Sequence, residues 1–167
     1  MFYHLPPVGN PVCLSRQPDS VVTPLFALYQ TQFYASGTAA LAAAITAAMK
    51  LKKCSRPEII LPAYGCPDLV SAVIYAGAKP VLVDFEAERP WLDLPQLASA
   101  ITENTVAIVA VNLFGIPERW AQIRELAKPN EVVLIEDSAQ YFPANDEQID
   151  LQGDLVVVLG VHEMEAV

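Results

Sequence analysis

The chain has 167 residues, of which 53% are hydrophobic, and this size and apolar content suit a single domain with one core. Ten basic against nineteen acidic side chains give a net charge of -9, so the summed field repels nucleic acid and anionic membrane surfaces. The longest apolar stretch, residues 39–49, is shorter than the roughly 20 residues of a bilayer-spanning helix. These features predict a soluble protein that binds neither nucleic acid nor membranes.

The amino terminus and the cysteines bear on location and metal binding. No basic stretch followed by an apolar signal core opens the chain. Three cysteines, Cys13, Cys54 and Cys66, are odd in number and show neither CxxC nor metal-ligand spacing. We therefore expect a protein of the reducing cytoplasm without a metal site.

The first 33 residues have the composition of an extended arm. Residues 1–23 contain four prolines with Gly9 and Asn10 among them, which is typical of turns and extended chain. Residues 25–33 are apolar and aromatic enough to form a short docking helix. We interpret residues 1–33 as an amino-terminal arm and residues 34–167 as one compact domain.

From residue 38 onward, helical and strand patterns alternate. Leu41, Ile45 and Met49 lie four residues apart in an alanine-rich segment that ends in lysines, which predicts a helix over residues 38–53. The predicted strands are residues 58–61, 81–85, 105–113, 132–135 and 155–159, and the further helices are residues 67–76, 94–101 and 117–127. Near-continuous apolar strands alternating with helices predict an α/β fold, with a mostly parallel sheet and helices on both faces.

Open parallel sheets bind ligands outside the carboxyl ends of their strands, and a first candidate is the turn that opens the long helix. Gly37, within the sequence Ser-Gly-Thr-Ala of residues 36–39, lets a ligand approach the backbone, and free amides at the positive helix end suit a phosphate. A capped helix after a glycine turn is commonly no more than an ordinary helix cap, so this feature alone does not assign a phosphate site.

Two further candidates follow predicted strands. The segment 136–140, Glu-Asp-Ser-Ala-Gln, could hold a cationic ring nitrogen, a metal or a ribose, although acidic residues at such positions also serve solvation and capping. The loop 62–67 offers the ring of Tyr64 and the thiol of Cys66, and its alternative interpretation is a rigid turn with Tyr64 in the core.

In their chain order, these segments resemble the DegT/StrS family of fold type I pyridoxal-phosphate (PLP) aminotransferases, which act on nucleotide-linked keto sugars. The similarity runs from about residue 34 to residue 154. It is carried by the motifs SGTAAL (36–41), EIILPAY (58–64), GAKPVLVD (77–84), VNLFG (111–115) and IEDSAQ (135–140), together with Pro117 and Gly153-Asp154. The resemblance implies the large domain of that fold, present in part.

The resemblance also implies roles for individual residues. Gly37, Thr38 and Ala39 would supply donors to the cofactor phosphate. Asp137 would pair with the pyridine nitrogen, and Gln140 would approach the phenolic oxygen of the ring. A carboxylate at the ring nitrogen keeps it protonated, which makes the ring an electron sink for the carbanion formed on the substrate.

Three positions depart from the family pattern. Cys66 stands where an aromatic residue usually covers the ring face, so that Tyr64 is the candidate replacement. Leu159 stands where the family has a phosphate-binding serine. No lysine follows the IEDSAQ motif, so the Schiff-base lysine is absent and no catalytic residue is assigned. The five lysines of the chain, none of them placed for this task, are Lys50, Lys52, Lys53, Lys79 and Lys128.

Three hypotheses about function follow. The first is the amino-terminal part of a PLP-dependent sugar aminotransferase, truncated and unable to transaminate alone. The second is a non-catalytic module that holds PLP or another phosphorylated ligand. The third, a nucleotide-binding doubly wound domain, is disfavoured because the chain has no GxGxxG turn. We also expect a dimer or larger assembly, since family sites form between subunits and truncation would leave sheet edge and apolar surface uncovered.

Overall fold

Five parallel strands form the centre of the fold. The computed structural model describes residue 30, residues 32–140 and residues 151–157. The strands are β1 (Glu58–Pro62), β2 (Lys79–Val83), β3 (Thr105–Val111), β4 (Val133–Asp137) and β5 (Leu155–Val157). They lie in the order β2-β1-β3-β4-β5, and each neighbouring pair is parallel.

Helices cover both faces of this sheet. They are α1 (Gly37–Leu51), α2 (Asp68–Tyr75), α3 (Leu94–Ala100) and α4 (Trp120–Ala127). Helices α1 and α2 share one core with Ile59 and Ile135, whereas α3 and α4 pack on Ile60 and Leu134 on the other face. Because alternate strand residues point to opposite faces, each central strand contributes to both cores and is apolar almost throughout.

Local signals explain where the helices begin and end. The Ser36 hydroxyl accepts a hydrogen bond from the Ala39 amide (3.1 Å) and caps α1. The Asp93 carboxylate caps α3 in the same way by accepting from the Gln96 amide (2.9 Å). Gly77 follows α2 with a φ of 82°, a left-handed conformation that glycine adopts without strain.

The order of the strands changes direction beside β1. Helix α2 connects β1 to β2 on one face, and the chain then returns through α3 on the opposite face to β3. The strand order therefore reverses between β1 and β3. In open parallel sheets, ligands bind at the carboxyl ends of the strands next to such a reversal.

The structure confirms the predicted fold class and corrects several boundaries. Helix α4 begins at Trp120 rather than Pro117, because residues 117–119 form hydrogen bonds with neighbouring loops instead. Strand β4 continues to Asp137, because its ladder with β3 extends to the Val111–Asp137 pair. Strand β2 lies two residues earlier than predicted.

Parts of two predicted segments lie outside the described residues. These are most of the arm and short helix of residues 1–33, and residues 158–159 of the last strand. Among the helices of the described residues, none is both long enough and apolar enough to cross a membrane.

Candidate functional site

The amino-terminal end of α1 lies at the carboxyl edge of the sheet. At the opposite end of the helix, the Lys52 ammonium group donates to the Thr105 and Asn130 carbonyl oxygens (2.8 and 2.6 Å), which precede or begin strands at the amino edge. Helix α1 has 15 residues and is about 22 Å long, roughly the length of the longest strand, so it runs from one edge of the sheet to the other. The Thr38 hydroxyl also donates to the carboxylate of Asp68 (3.0 Å), and α2 begins at Asp68 just after the carboxyl end of β1.

At this helix tip, the three predicted phosphate donors differ in what they already bind. The Ala39 amide is engaged by the Ser36 hydroxyl, and the Thr38 hydroxyl is engaged by Asp68. Among the described residues, the amides of Gly37 and Thr38 have no hydrogen-bond acceptor. Free amides and the positive end of the helix dipole suit an anion.

Asp137 ends β4 at the same edge and on the same face as α1. Ile135, two residues earlier in the same strand, lies in the core that α1 covers, and alternate strand residues share a face. The Asp137 carboxylate is 9% exposed and accepts one hydrogen bond within the described residues, from the Ala139 amide (3.0 Å). Burial raises the pKa of this carboxyl group above its ordinary value, and the hydrogen bond from Ala139 only partly opposes the rise.

The loop between β1 and α2 carries the other two predicted cofactor residues. Tyr64 is 64% exposed and its ring meets that of Phe85 at a centroid distance of 6.4 Å, so the alternative interpretation of Tyr64 as a core residue is wrong. Cys66 is an exposed free thiol in the same loop. Both side chains are therefore available at the carboxyl edge.

Gln140 follows β4 and is tied to the loop after β3. Its side-chain oxygen accepts from the Phe114 amide (2.9 Å). Phe114 has a φ of 56°, a left-handed conformation that is uncommon outside glycine, and Gly115 follows with a φ of 74°. Backbone of this kind concentrates at ligand sites, where surrounding contacts maintain it.

A buried polar cluster lies next to these residues, and two of its members, Asn112 and Glu136, had no individual role in the predicted site. The Glu136 carboxylate accepts from the side chains of Asn112 (2.9 Å) and Ser138 (2.6 Å). It also accepts from the backbone amides of Gln152 (2.6 Å) and Gly153 (2.8 Å). The signal in the sequence was a polar residue at the carboxyl end of each of two buried apolar runs: Asn112 directly follows β3, and Glu136 is the next-to-last residue of β4.

Glu118 extends this cluster toward β2. The amide of Glu118 donates to the Asn112 side-chain oxygen (2.9 Å), and its carboxylate accepts from the amides of Leu92 and Arg119 (2.8 Å each). Burial raises the pKa of the Glu118 carboxyl group. The loops after β2, β3 and β4 are thus joined through side chains beneath the carboxyl edge.

All five lysines lie at the amino edge, away from this site. Lys79 begins β2 and forms an ion pair with Glu58 (2.8 Å). Lys128 lies between α4 and β4, on the amino side of β4. The other three, which are Lys50, Lys52 and Lys53, lie at the carboxyl-terminal end of α1. The described residues contain no cluster of side chains that could hold a metal ion.

The chain matches a known family over most of its length. Residues 31–153 match the DegT/DnrJ/EryC1/StrS aminotransferase family. The chain is similar to the UDP-N-acetyl-3-dehydro-alpha-D-glucosamine 3-aminotransferase of Acidithiobacillus ferrooxidans, at 37% identity over 119 residues. This match covers 71% of the chain and 31% of the relative, so the chain spans about a third of the length of this curated relative.

Solved structures share this fold over part of their length. DesV of S. venezuelae superposes with a TM-score of 0.56 at 33% identity, over 64% of this chain and 28% of DesV. NtdA of Bacillus subtilis, solved with bound cofactor PMP, superposes with a TM-score of 0.56 at 28% identity, over 64% of this chain and 24% of NtdA.

The side chains at the carboxyl edge fit the cofactor of these proteins. A desolvated carboxylate that accepts from one neutral donor in the described part of the chain suits a cationic ring nitrogen, and two helix-tip amides with no acceptor in that part suit a phosphate. The sheet topology, this donor set and the match over residues 31–153 agree: the chain belongs to the DegT/DnrJ/EryC1/StrS aminotransferase family, whose cofactor is PLP.

Proposed function

We propose that this chain supplies the ring-nitrogen and phosphate contacts of a PLP site in a nucleotide-sugar aminotransferase. The observation that carries the proposal is the Asp137 carboxylate, which is buried on the α1 face and accepts from one neutral donor within the described residues. A buried charge of this kind is unfavourable unless a cation pairs with it. The protonated ring nitrogen of the cofactor is a cation of the right kind.

The helix tip would hold the other end of the cofactor. The free amides of Gly37 and Thr38 would donate to the phosphate, and the Thr38 hydroxyl would exchange Asp68 for a phosphate oxygen. Ala39 can join them only if the Ser36 cap opens, because Ser36 holds the Ala39 amide. Thr38 and Gly37 are therefore the stronger candidates.

The ring would lie between these two ends. Tyr64 and Cys66 are exposed on the loop beside the helix tip and would contact the ring face, and Gln140 would approach the phenolic oxygen. When bound, the cofactor supplies an electron sink for negative charge at the substrate carbon. The residues of this chain bind and orient it, and Asp137 keeps a proton on the ring nitrogen.

We propose that none of the five lysines of this chain is the Schiff-base lysine, and that the chain does not transaminate by itself. The lysines lie at the amino edge of the sheet, whereas Asp137 lies at the carboxyl edge. The length of β4 puts these two edges about 16 Å apart, which supports the proposal. Borohydride reduction after addition of PLP, followed by peptide mass mapping, is expected to find no stoichiometric modification at any single lysine. A fully reduced adduct at one lysine would contradict this.

Binding without the covalent step can be measured with pyridoxamine phosphate (PMP), which forms no bond with lysine. Calorimetric titration of the 167-residue chain is expected to give saturable binding of PMP and much weaker binding of pyridoxamine, which lacks the phosphate. Equal affinity for the two compounds, or no saturable heat with PMP, would contradict the proposal.

We further propose a nucleotide-linked keto sugar as the substrate, a homodimer as the assembly and the cytoplasm as the location. The A. ferrooxidans relative, an aminotransferase of UDP-N-acetyl-3-dehydro-alpha-D-glucosamine, supports the substrate class. Three exposed aromatic side chains support an interface near the site: Tyr34, Tyr64 and Phe114. The free thiols of Cys54 and Cys66 support a reducing compartment. Light scattering is expected to give twice the monomer mass, and a strictly monomeric mass would contradict the dimer.

A further inference from the structure

Thirteen residues separate Ser138 from Gln152 in the sequence, and both ends of this segment contact one carboxylate. At the first end, the Ser138 hydroxyl donates to Glu136 Oε1 (2.6 Å), and at the other end the amides of Gln152 and Gly153 donate to Glu136 Oε2 (2.6 and 2.8 Å). The side chain of Asn112, the residue after β3, adds a fourth donor (2.9 Å). The Glu136 side chain therefore joins both ends of the segment to the sheet.

Glu136 is the member of this cluster that cannot be replaced without loss. It is 1% exposed, and each of its two oxygens faces two donors. An amide at this position would turn a nitrogen with its own hydrogens toward one of those pairs. Gly153 packs so closely that a Cβ atom there would lie 2.6 Å from Glu136 Cβ.

The residues held by Glu136 include those proposed to bind the cofactor. Asp137 lies between Glu136 and Ser138, and the Ser138 amide also donates to the Val157 carbonyl oxygen (2.9 Å). The Asp137 carboxylate in turn accepts from Ala139, the next residue of the same turn. The direction of the Asp137 side chain thus depends on a turn that Glu136 fixes from the other face of the sheet.

We propose that Glu136 is a positioning residue, which holds both described ends of the segment 138–152 and thereby aims Asp137 at the cofactor ring. This inference rests on the proposed function for its ligand but not for its structural part. Strand alternation directs the Glu136 side chain to the face of α3 and α4, opposite to the face of Asp137 and α1. Glu136 therefore acts on the cofactor through its neighbours.

A double-mutant cycle tests the proposal. Glu136→Gln is expected to weaken PMP binding about fivefold to tenfold, whereas the exposed α4 variant Glu125→Gln leaves it unchanged. In a background of Asp137→Asn, Glu136→Gln is expected to cause little further loss, because the two side chains act through one contact. Additive losses in the double variant would show a merely structural role and overturn the proposal.

Hydrogen exchange separates this proposal from the proposed function. In Glu136→Gln, the amides of Gln152 and Gly153 are expected to exchange at least tenfold faster while those in the middle of α1 keep their protection. If the wild-type chain fails to bind PMP, faster exchange at these amides still supports the role of Glu136 in holding both ends of the segment 138–152. In that case only the proposed ligand is wrong. Should Glu136→Gln not fold, Ser138→Ala removes one donor and is expected to show the same non-additivity with a smaller loss. Unchanged exchange at both amides would overturn the proposal.

Discussion

Two adjacent carboxylates of β4 point to opposite faces of the sheet and have opposite surroundings. Glu136 accepts four hydrogen bonds on the α3 and α4 face, whereas Asp137 accepts one within the described residues on the α1 face. Both are buried, so exposure does not distinguish them. A buried carboxylate with four donors is compensated within the fold, whereas a buried carboxylate with one donor among the described residues is a candidate partner for a cationic ligand.

The largest effect is expected at Asp137. Asp137→Asn should weaken PMP binding about 10-fold to 100-fold, since hydrogen bonds to charged groups contribute about 1.5–3 kcal/mol. Fluorescence titration measures it, and Asp84→Asn serves as the control because Asp84 is an exposed carboxylate that follows β2 at the same edge. Equal losses in the two variants would mean that net charge, rather than the Asp137 contact, governs binding.

A smaller loss is expected at the helix tip. Thr38→Val removes a hydroxyl that now donates to Asp68, and PMP binding should weaken about twofold to tenfold because a neutral hydrogen bond contributes about 0.5–1.5 kcal/mol. Thr46→Val is the matched control, since the Thr46 hydroxyl donates to the Ala42 carbonyl oxygen in the middle of the same helix. If Thr46→Val lowers affinity equally, the effect belongs to the helix and not to the phosphate.

The pH dependence of stability should show that the buried, ionised Asp137 carboxylate lowers the stability of the fold in the absence of a ligand. Burial raises its pKa in the folded state, so the folded chain binds more protons than the unfolded chain as the pH rises above the ordinary value of 3.8. Stability contributed by this group therefore falls with rising pH. Asp137→Asn should be more stable than wild type at pH 7, with a smaller difference at pH 3.5, as measured by urea unfolding.

The smallest effect is expected at the amino edge. Lys79 lowers the pKa of Glu58 through a hydrogen bond, so this pair stabilises the fold above the ordinary pKa of 4.5 and the contribution is lost as the pH falls. Lys79 is largely exposed, and such pairs contribute about 0–1 kcal/mol. Glu58→Gln should lower stability slightly at pH 7 and leave PMP affinity unchanged. A change in PMP affinity would mean that the amino edge of the sheet influences the cofactor site at the carboxyl edge, and would contradict this prediction.

The sequence predicted the strands and helices because their patterns depend on local spacing and burial. The run from Thr105 to Val111 is apolar on both faces and is recognisable as a central strand without any knowledge of its neighbours. Ser36 and Asp93 are residue types that cap helix starts with their side chains, and Gly77 is the residue type that ends a helix in a left-handed conformation. The position of the seven predicted site residues at one edge followed from the strand order.

Other features depend on contacts that no local pattern contains. Glu136 and Asp137 are adjacent acidic residues that the sequence does not distinguish. In the structure, the amides of Gln152 and Gly153 donate to the Glu136 carboxylate, and this contact cannot be inferred from local sequence. Pro117 predicted a helix start, yet tertiary hydrogen bonds of Glu118 to Leu92 and Asn112 override that signal. Phe114 in a left-handed conformation has no sequence signal beyond the glycine that follows it.

The protonation of the cofactor ring tests the central claim most directly. PMP labelled with ¹⁵N at the ring nitrogen, bound to the chain at a pH above the titration of the free ring nitrogen, reports protonation through its ¹⁵N chemical shift. The Asp137 carboxylate is expected to hold the bound nitrogen in the protonated state, and Asp137→Asn is expected to return it to the neutral shift. A neutral ring nitrogen in the bound wild-type complex would contradict the assignment of Asp137 as its partner.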